Sequence, residues 1–271
     1  MPELPEVETT CRGISPAVVG RVIEHVEVRE PRLRWRVPSD LAALLGHHRI
    51  LGIQRRAKYL LFELPHGTLI NHLGMSGSLR VLPVATPPSP HDHIDIVLDS
   101  GVCVRFNDPR RFGCMLWTSD DPLQHPLLRS LGPEPLDTDF NGETLARAAK
   151  GRRVAIKQLL MNSQVVVGVG NIYASEALFR AGIRPRRAAG RLKAAQFDAL
   201  ATSIKQVLSE AIRSGGTTLR DYVNAAGKPG YFKQKLFVYE RTGEPCRTCT
   251  TPIKHLVQGQ RSTYFCPQCQ T

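Results

Sequence analysis

The sequence contains no apolar run approaching the roughly 20 residues a membrane-spanning helix needs. Its first residues lack the apolar stretch of a secretion signal. Both absences point to an intracellular protein, with no membrane partner. Internal repeats and long low-complexity tracts are missing too, which leaves ordinary globular domains. Acidic side chains are scarce: 24 Asp and Glu stand against 36 Lys and Arg, for a net charge of +12. The basic residues are spread along most of the length. Such a chain is drawn to polyanions, so nucleic acid is the expected partner.

What is present is enough for two domains with real cores: 271 residues, 42% of them hydrophobic. Residues 22–117 read mainly as strands. Alternation is clear in Val26-Glu27-Val28 and in Ile94-Asp95-Ile96-Val97-Leu98, and Asp99-Ser100-Gly101 reads as a hairpin turn. Residues 82–90 form a proline-rich surface loop. A helix is expected over residues 5–12, ending at Gly13. Gly132-Pro133-Glu134-Pro135 marks a boundary, after which the period becomes helical. Phe197, Leu200, Ala201, Ile204, Val207, Leu208, Ala211 and Ile212 make one apolar stripe closed by Gly215-Gly216. A second helix is expected over residues 172–180, with Asn171 as its N-cap and Gly182 just past its end.

Four of the seven cysteines fall into two Cys-x-x-Cys pairs, Cys246/Cys249 and Cys266/Cys269, while Cys11, Cys103 and Cys114 are scattered. In a reducing compartment that spacing means metal rather than disulfides. Two such knuckles bring four thiolates around one Zn²⁺, and four protein ligands leave no open position, so the metal is structural. Between the pairs, residues 253–257 and 262–265 alternate as two strands, with Gln258-Gly259-Gln260-Arg261 at the turn and Arg261 at its tip.

Other clusters suit a nucleic acid. Gly168-Val169-Gly170-Asn171 precedes a helix but lacks the third glycine and the βαβ setting of a dinucleotide site. It reads better as an anion site at a helix N-terminus, in a helix–two-turn–helix arrangement. Arg55-Arg56-Ala57-Lys58 and Asp108-Pro109-Arg110-Arg111-Phe112 are basic clusters beside apolar strands. The second combines a turn, cations and an aromatic ring, which is what a wedge entering a base stack needs. In His91-Asp92-His93 the three side chains cannot all point one way along a strand, so His91 reads as a polar contact rather than a metal ligand.

Removal of Met1 would free the ring nitrogen of Pro2 as a secondary amine beside the carboxyl of Glu3. An α-amino group titrates near ~8, about two units below lysine, so much more of it is nucleophilic at neutral pH. Attack on a sugar C1′ yields an iminium, an electron sink for breaking neighbouring bonds. Pro5, Glu6 and Glu8 equally suit the start of an ordinary helix.

Taken in order, Pro2-Glu3-Leu4-Pro5-Glu6-Val7-Glu8, Lys58, Asp108-Pro109-Arg110-Arg111-Phe112, Gly168-Val169-Gly170-Asn171-Ile172-Tyr173 and the four-cysteine ribbon resemble the bacterial formamidopyrimidine-DNA glycosylases. The resemblance covers essentially the whole chain. It implies an α+β fold: an N-terminal β-sandwich with an N-terminal helix (residues 1–132), a helix–two-turn–helix domain (133–235) and a zinc-finger β-hairpin (236–271), with DNA in the basic cleft between the main domains. It implies a cytoplasmic, nucleoid-associated monomer that acts in base excision repair on double-stranded DNA containing damaged bases, holding one structural Zn²⁺.

By position, the resemblance makes Pro2 the nucleophile, Glu3 the acid that opens the sugar ring, and Lys58 and Arg261 phosphate-binding residues that assist elimination. His91, Arg110, Arg152, Lys157 and Asn171 would hold DNA, with Arg153 an alternative to Arg152. Met75, Arg110 and Phe112 would fill the gap left by a flipped nucleotide. Residues 217–232 look like a lid over the extruded base. Two rivals share parts of this reading. Endonuclease VIII, the sister enzyme for oxidised pyrimidines, has the same proline logic and zinc finger, but Leu4, Pro5-Glu6-Val7 and the Arg110–Phe112 wedge resemble the purine enzyme. A non-catalytic zinc-ribbon DNA binder fits the charge and the cysteines, and leaves Pro2, Glu3 and Lys58 without a purpose.

Overall fold

A computed structural model describes residues 2–216 and 232–271, which fall into two compact units. The first covers residues 2–129 together with 214–216; the second covers Ser130–Arg213 and Phe232–Thr271.

The first unit is a β-sandwich behind a helix. Helix α1 (Leu4–Val18) buries Leu4, Val7, Cys11, Ile14 and Val18, one side chain every three or four residues. It therefore runs past Gly13, where the sequence suggested an end, and through Pro16. Burying Ile14 and Val18 stabilises by roughly 1.5–3 kcal/mol each, enough to offset the ~3 kcal/mol penalty of a proline inside a helix.

One antiparallel sheet has the order β1-β6-β7-β5, from strands β1 (Ile23–Val28), β5 (Ser78–Pro83), β6 (Asp92–Leu98) and β7 (Val102–Asn107). The other has the order β2-β3-β4-β8, from β2 (Gly52–Arg56), β3 (Tyr59–Leu64), β4 (Gly67–His72) and β8 (Cys114–Thr118). Ile96, Val104 and Phe106 from the first sheet meet Leu60, Phe62, Leu69 and Met115 from the second in one core, which also takes in the buried face of α1. The turn expected at Asp99-Ser100-Gly101 joins β6 to β7, with Gly101 donating its N–H to the Leu98 carbonyl.

Two departures have physical causes. Every residue of β6 is buried, including Asp95 on the face expected to be wet. Asp95 accepts two bonds from buried Arg105 and pairs with Arg29, and Arg105 also donates to the Thr86 and Pro87 carbonyls of the proline-rich loop, so that loop lies over the polar face. Among the expected strands sits a helix, α2 (Leu41–Leu45). Five residues are too few to display a helical period.

The second unit is helical, with a small hairpin. Helices α3 (Gly142–Ala149), α4 (Ile156–Leu160), α5 (Asn171–Arg180) and α6 (Ala194–Arg213) are followed by β9 (Lys254–Gln258) and β10 (Arg261–Phe265). Helix α6 buries the expected stripe from Phe197 to Ala211 and ends before Gly215 and Gly216, both with positive φ. Two turns separate α4 from α5, as the helix–two-turn–helix reading requires. The N-cap of α5 is Gly170, and Asn171 is its first helical residue. Gly182 follows the helix in a left-handed conformation, as expected.

Candidate functional site

Pro2 is buried immediately ahead of α1, and Glu3 is the N-cap of that helix, only 3% exposed. The carboxylate of Glu6, fully buried, reaches back to accept the Glu3 N–H at 2.9 Å. Gly216 lies against it: at φ +83° a Cβ would stand 3.2 Å from Glu6 Oε1, so only glycine suits the position. The sequence reads Glu6 as suited to the start of a helix; its bond to the Glu3 N–H also fixes the backbone that carries Pro2 and Glu3.

Lys58 sits in the two-residue turn between β2 and β3, beside Ala57, whose φ is +56°. Arg55 ties this turn to α1. Its Nε donates to Glu8 Oε2 at 2.7 Å while Nη1 donates to the Ala57 carbonyl at 3.1 Å. Burial opposes ionisation of Glu8, but the Arg55 and Arg12 guanidiniums outweigh it and hold the carboxyl below its ordinary range. Burial pushes His72 down to about 4, helped by the positive charges of Lys58 and Arg34, so its imidazole is neutral. Neutral Nδ1 accepts the Gly74 N–H at 2.9 Å.

The residues expected to enter or grip DNA from this unit lie on three loops. Met75, between β4 and β5, is the only exposed residue in the loop 73–77, at 40%. Phe112, between β7 and β8, is 41% exposed, and the Arg110 guanidinium stacks over its ring at 4.8 Å. His91 is exposed at the end of the proline-rich loop with φ +72°.

In the second unit, Arg152 and Arg153 are both exposed on the loop after α3, and their burial does not distinguish them. Asn171 Nδ2 donates to the Tyr239 hydroxyl at 3.5 Å, leaving Oδ1 buried without a partner. Lys157 departs from the expected DNA contact. It is 2% exposed, and its ammonium donates to the Ser262 carbonyl at 3.0 Å and to Thr263 Oγ1 at 2.8 Å. It braces β10, whose first residue is the exposed Arg261. The expected lid, residues 217–232, lies outside the described residues except for Phe232.

The sulfurs of Cys246, Cys249, Cys266 and Cys269 all lie within 4.8 Å of one another. Zn–S bonds of about 2.3 Å in a tetrahedron require sulfurs about 3.8 Å apart, so this cage fits zinc with all four positions filled. The other thiols are unreactive: burial pushes Cys11 up to about 11, Cys114 to about 12, and raises Cys103. One residue of consequence escaped sequence reasoning. Glu176 on α5 is buried and accepts the N–H groups of Phe237, Val238 and Tyr239 at 2.8–2.9 Å, fastening the approach to the ribbon onto α5. Burial pushes its carboxyl up against the pull of those three donors and of Arg180. A lone acid on an otherwise apolar helix face was the available signal.

Three family models match the chain: the formamidopyrimidine-DNA glycosylase N-terminal domain over residues 1–115, the formamidopyrimidine-DNA glycosylase H2TH domain over 131–223, and the zinc finger found in FPG and IleRS over 243–271. The formamidopyrimidine-DNA glycosylase of Thioalkalivibrio sulfidiphilus is 62% identical over 270 residues, covering 100% of both chains. The crystal structure of the MutM (Fpg) protein from Thermus thermophilus superposes with a TM-score of 0.89 at 40% identity, covering 99% of this chain and 98% of that one. A Lactococcus lactis Fpg mutant in complex with Fapy-dG-containing DNA superposes at 0.92 with 34% identity, covering 99% of each. The sandwich behind α1, the two-turn helical unit and the four-thiolate ribbon are thus shared from end to end, and the chain belongs to the formamidopyrimidine-DNA glycosylase family.

Proposed function

We propose that this DNA glycosylase excises oxidised purines, 8-oxoguanine and formamidopyrimidines, from duplex DNA and then cuts the strand as an abasic-site lyase, acting in base excision repair. The observation that carries the reading is the N-terminus itself: Pro2 and Glu3 are buried side by side at the positive end of α1. A helix N-terminus disfavours an ammonium ion there and keeps a free Pro2 nitrogen reactive. The Lactococcus relative's complex with Fapy-dG DNA supports the substrate class.

A base stacked in a duplex hides its sugar C1′, so the nucleotide must first swing out, at a cost of a few kcal/mol. Met75, Arg110 and Phe112 offset that cost by filling the vacated stack. The Pro2 nitrogen bonds to C1′, the glycosidic bond breaks towards the base, and Glu3 gives a proton to the ring oxygen as the sugar opens. The resulting iminium acidifies the C2′ hydrogen. Its loss expels the 3′ phosphate, and a second elimination expels the 5′ phosphate. Lys58 and Arg261 hold the phosphates through these steps; His91, Arg110, Asn171 and Arg152 grip the backbone. Zinc holds the ribbon that carries Arg261 and takes no part in the chemistry.

Borohydride added during turnover on an 8-oxoguanine duplex should trap a covalent enzyme–DNA adduct in the wild type and none in Pro2→Gly, which should retain much of its DNA affinity. Full cleavage by Pro2→Gly, or by a preparation that mass spectrometry shows to retain Met1 throughout, overturns the amine mechanism. An oxidised pyrimidine processed in preference to 8-oxoguanine overturns the substrate.

A further inference from the structure

We infer that Asp108 is a positioning residue that fastens the three DNA-facing loops of the first unit into one block, so that Met75, His91, Arg110 and Phe112 meet the duplex as a preformed wedge. This inference rests on the wedge role proposed above. Asp108 is fully buried, and it contacts all three loops. Its Oδ1 accepts from Ser76 Oγ at 3.1 Å, next to Met75, and from the Arg110 N–H at 3.4 Å; its Oδ2 accepts from the Gly113 N–H at 2.7 Å, next to Phe112. Its backbone N–H donates to the His91 carbonyl at 3.0 Å. Its own carbonyl accepts from Nε2 of buried His93 at 2.8 Å, since a carbonyl can only accept.

The loops also touch directly. A Cβ on Gly74, at φ +67°, would fall 2.4 Å from the Gly113 nitrogen, so the Met75 loop lies backbone to backbone on the Phe112 loop. The exposed tips, by contrast, have little to hold them. An exposed Met or Phe side chain gains nothing by standing in water, and each would fold back onto the sandwich if its loop could bend. A carboxylate in a dry site, taking bonds from the Met75 loop and from its own loop, in a residue whose backbone N–H is bonded to the third, removes that freedom before DNA arrives. Preformed wedges act where the stack must be opened, and contribute little where it is already open.

The test compares two substrates: 8-oxoguanine in a fully paired duplex, and the same lesion inside an unpaired bubble. Asp108→Ala should lower excision from the paired duplex by roughly ten-fold or more and from the bubble by less than about three-fold. Asp108→Asn, which keeps one acceptor oxygen, should recover part of the loss. Ser76→Ala cuts only the arm to the Met75 loop and should show the same bias more weakly, which keeps the test usable if Asp108→Ala folds poorly. Amide hydrogen exchange of the free proteins should quicken at Gly113 and across residues 73–77 while β3 and β6 keep their protection. Equal losses on both substrates, or unchanged exchange at Gly113 in every variant, overturn the inference. A wild-type protein inactive on both substrates counts against the proposed function, and hydrogen exchange then decides the role of Asp108 by itself.

Discussion

Two hairpins in this chain each present one cation at a two-residue turn, Lys58 within the first and Arg261 just after the second, and they are held by different means. The β2–β3 hairpin carries Lys58. Its strand β3 sends Leu60, Phe62 and Leu64 into the sandwich core, and Arg55 ties its turn to α1. The β9–β10 hairpin carries Arg261. It buries little: of its ten strand residues only Thr263 is buried, and Val257 is 69% exposed. Four thiolates, the Lys157 ammonium and a small cluster of Phe179, Val238 and Ile253, against which Tyr264 packs, support it in place of a large core. Hydrophobic burial is spread over many side chains and declines gradually as contacts are lost. A metal cage is shared among four groups and fails when any one goes. The chain therefore holds Lys58 on a graded support and Arg261 on an all-or-none support.

Removing one zinc ligand should separate the two supports most sharply. Zinc contributes on the order of 10–16 kcal/mol to folding such ribbons. Cys249→Ala should lose its bound metal and all amide protection across residues 254–265, while the β3 and β4 amides keep theirs. Elemental analysis with hydrogen exchange reads both. Protection lost equally in β3 and β9 would mean that the sandwich, too, depends on the cage.

Lys157→Met leaves the cage complete and strips only its brace. The Ser262 carbonyl and Thr263 hydroxyl would lose a charged partner in a buried place, at about 2–3 kcal/mol. Chelator-driven zinc release should quicken by roughly the corresponding factor, one decade for each 1.4 kcal/mol, with urea unfolding of the first unit unmoved. Release at the wild-type rate would show that the thiolates hold the hairpin unaided.

The matching cut in the sandwich is Glu8→Gln, which weakens the tie through Arg55. Glu8 is 18% exposed and Arg55 10%, so the pair is largely shielded and should contribute about 1–2 kcal/mol at neutral pH. The sign with pH follows from the lowered carboxyl. A carboxyl held below its unfolded value adds stability that is fully present above about pH 4.3, and that stability is lost as pH falls through the lower folded value. Urea midpoints of wild type and Glu8→Gln should differ at pH 7 and converge in acid. A gap that persists at pH 2 would assign the effect to packing instead of charge.

The sequence was most legible where chemistry imposes spacing. Cys-x-x-Cys pairs, the stripe of α6 and the paired glycines after it each encode a constraint within a short window. The candidate site residues were reached through their local motifs, Pro2-Glu3 and Arg110-Arg111-Phe112 above all. What stayed hidden lies in contacts between distant segments. Nothing local to Lys157 says that Ser262 and Thr263, over a hundred residues later, will claim its ammonium. Asp95 sits in a clean alternation, and only the fold supplies Arg29, Arg105 and the loop that covers it. Helix α1 outran Gly13 because Ile14 and Val18 had a core to enter, which a local breaker rule cannot weigh.

The smallest effect sharpens the comparison furthest, because it sets the same backbone geometry in both supports. Ala57 and Gln260 hold nearly equal left-handed angles, φ +56° and +59°, in the two turns. A side chain costs about 1–2 kcal/mol there, and glycine returns roughly 0.5–1 kcal/mol of that as chain entropy lost on folding. Gln260 is exposed, so Gln260→Gly should stabilise the hairpin by the difference, about 0.5–1 kcal/mol, and slow zinc release slightly. Ala57 is only 3% exposed, and deleting its methyl removes about 0.8 kcal/mol of burial. Ala57→Gly should therefore be neutral or mildly destabilising to urea. Equal gains at both turns would mean that the Ala57 methyl adds nothing to the sandwich; opposite signs would show the same strain answered by a core in one hairpin and by water in the other.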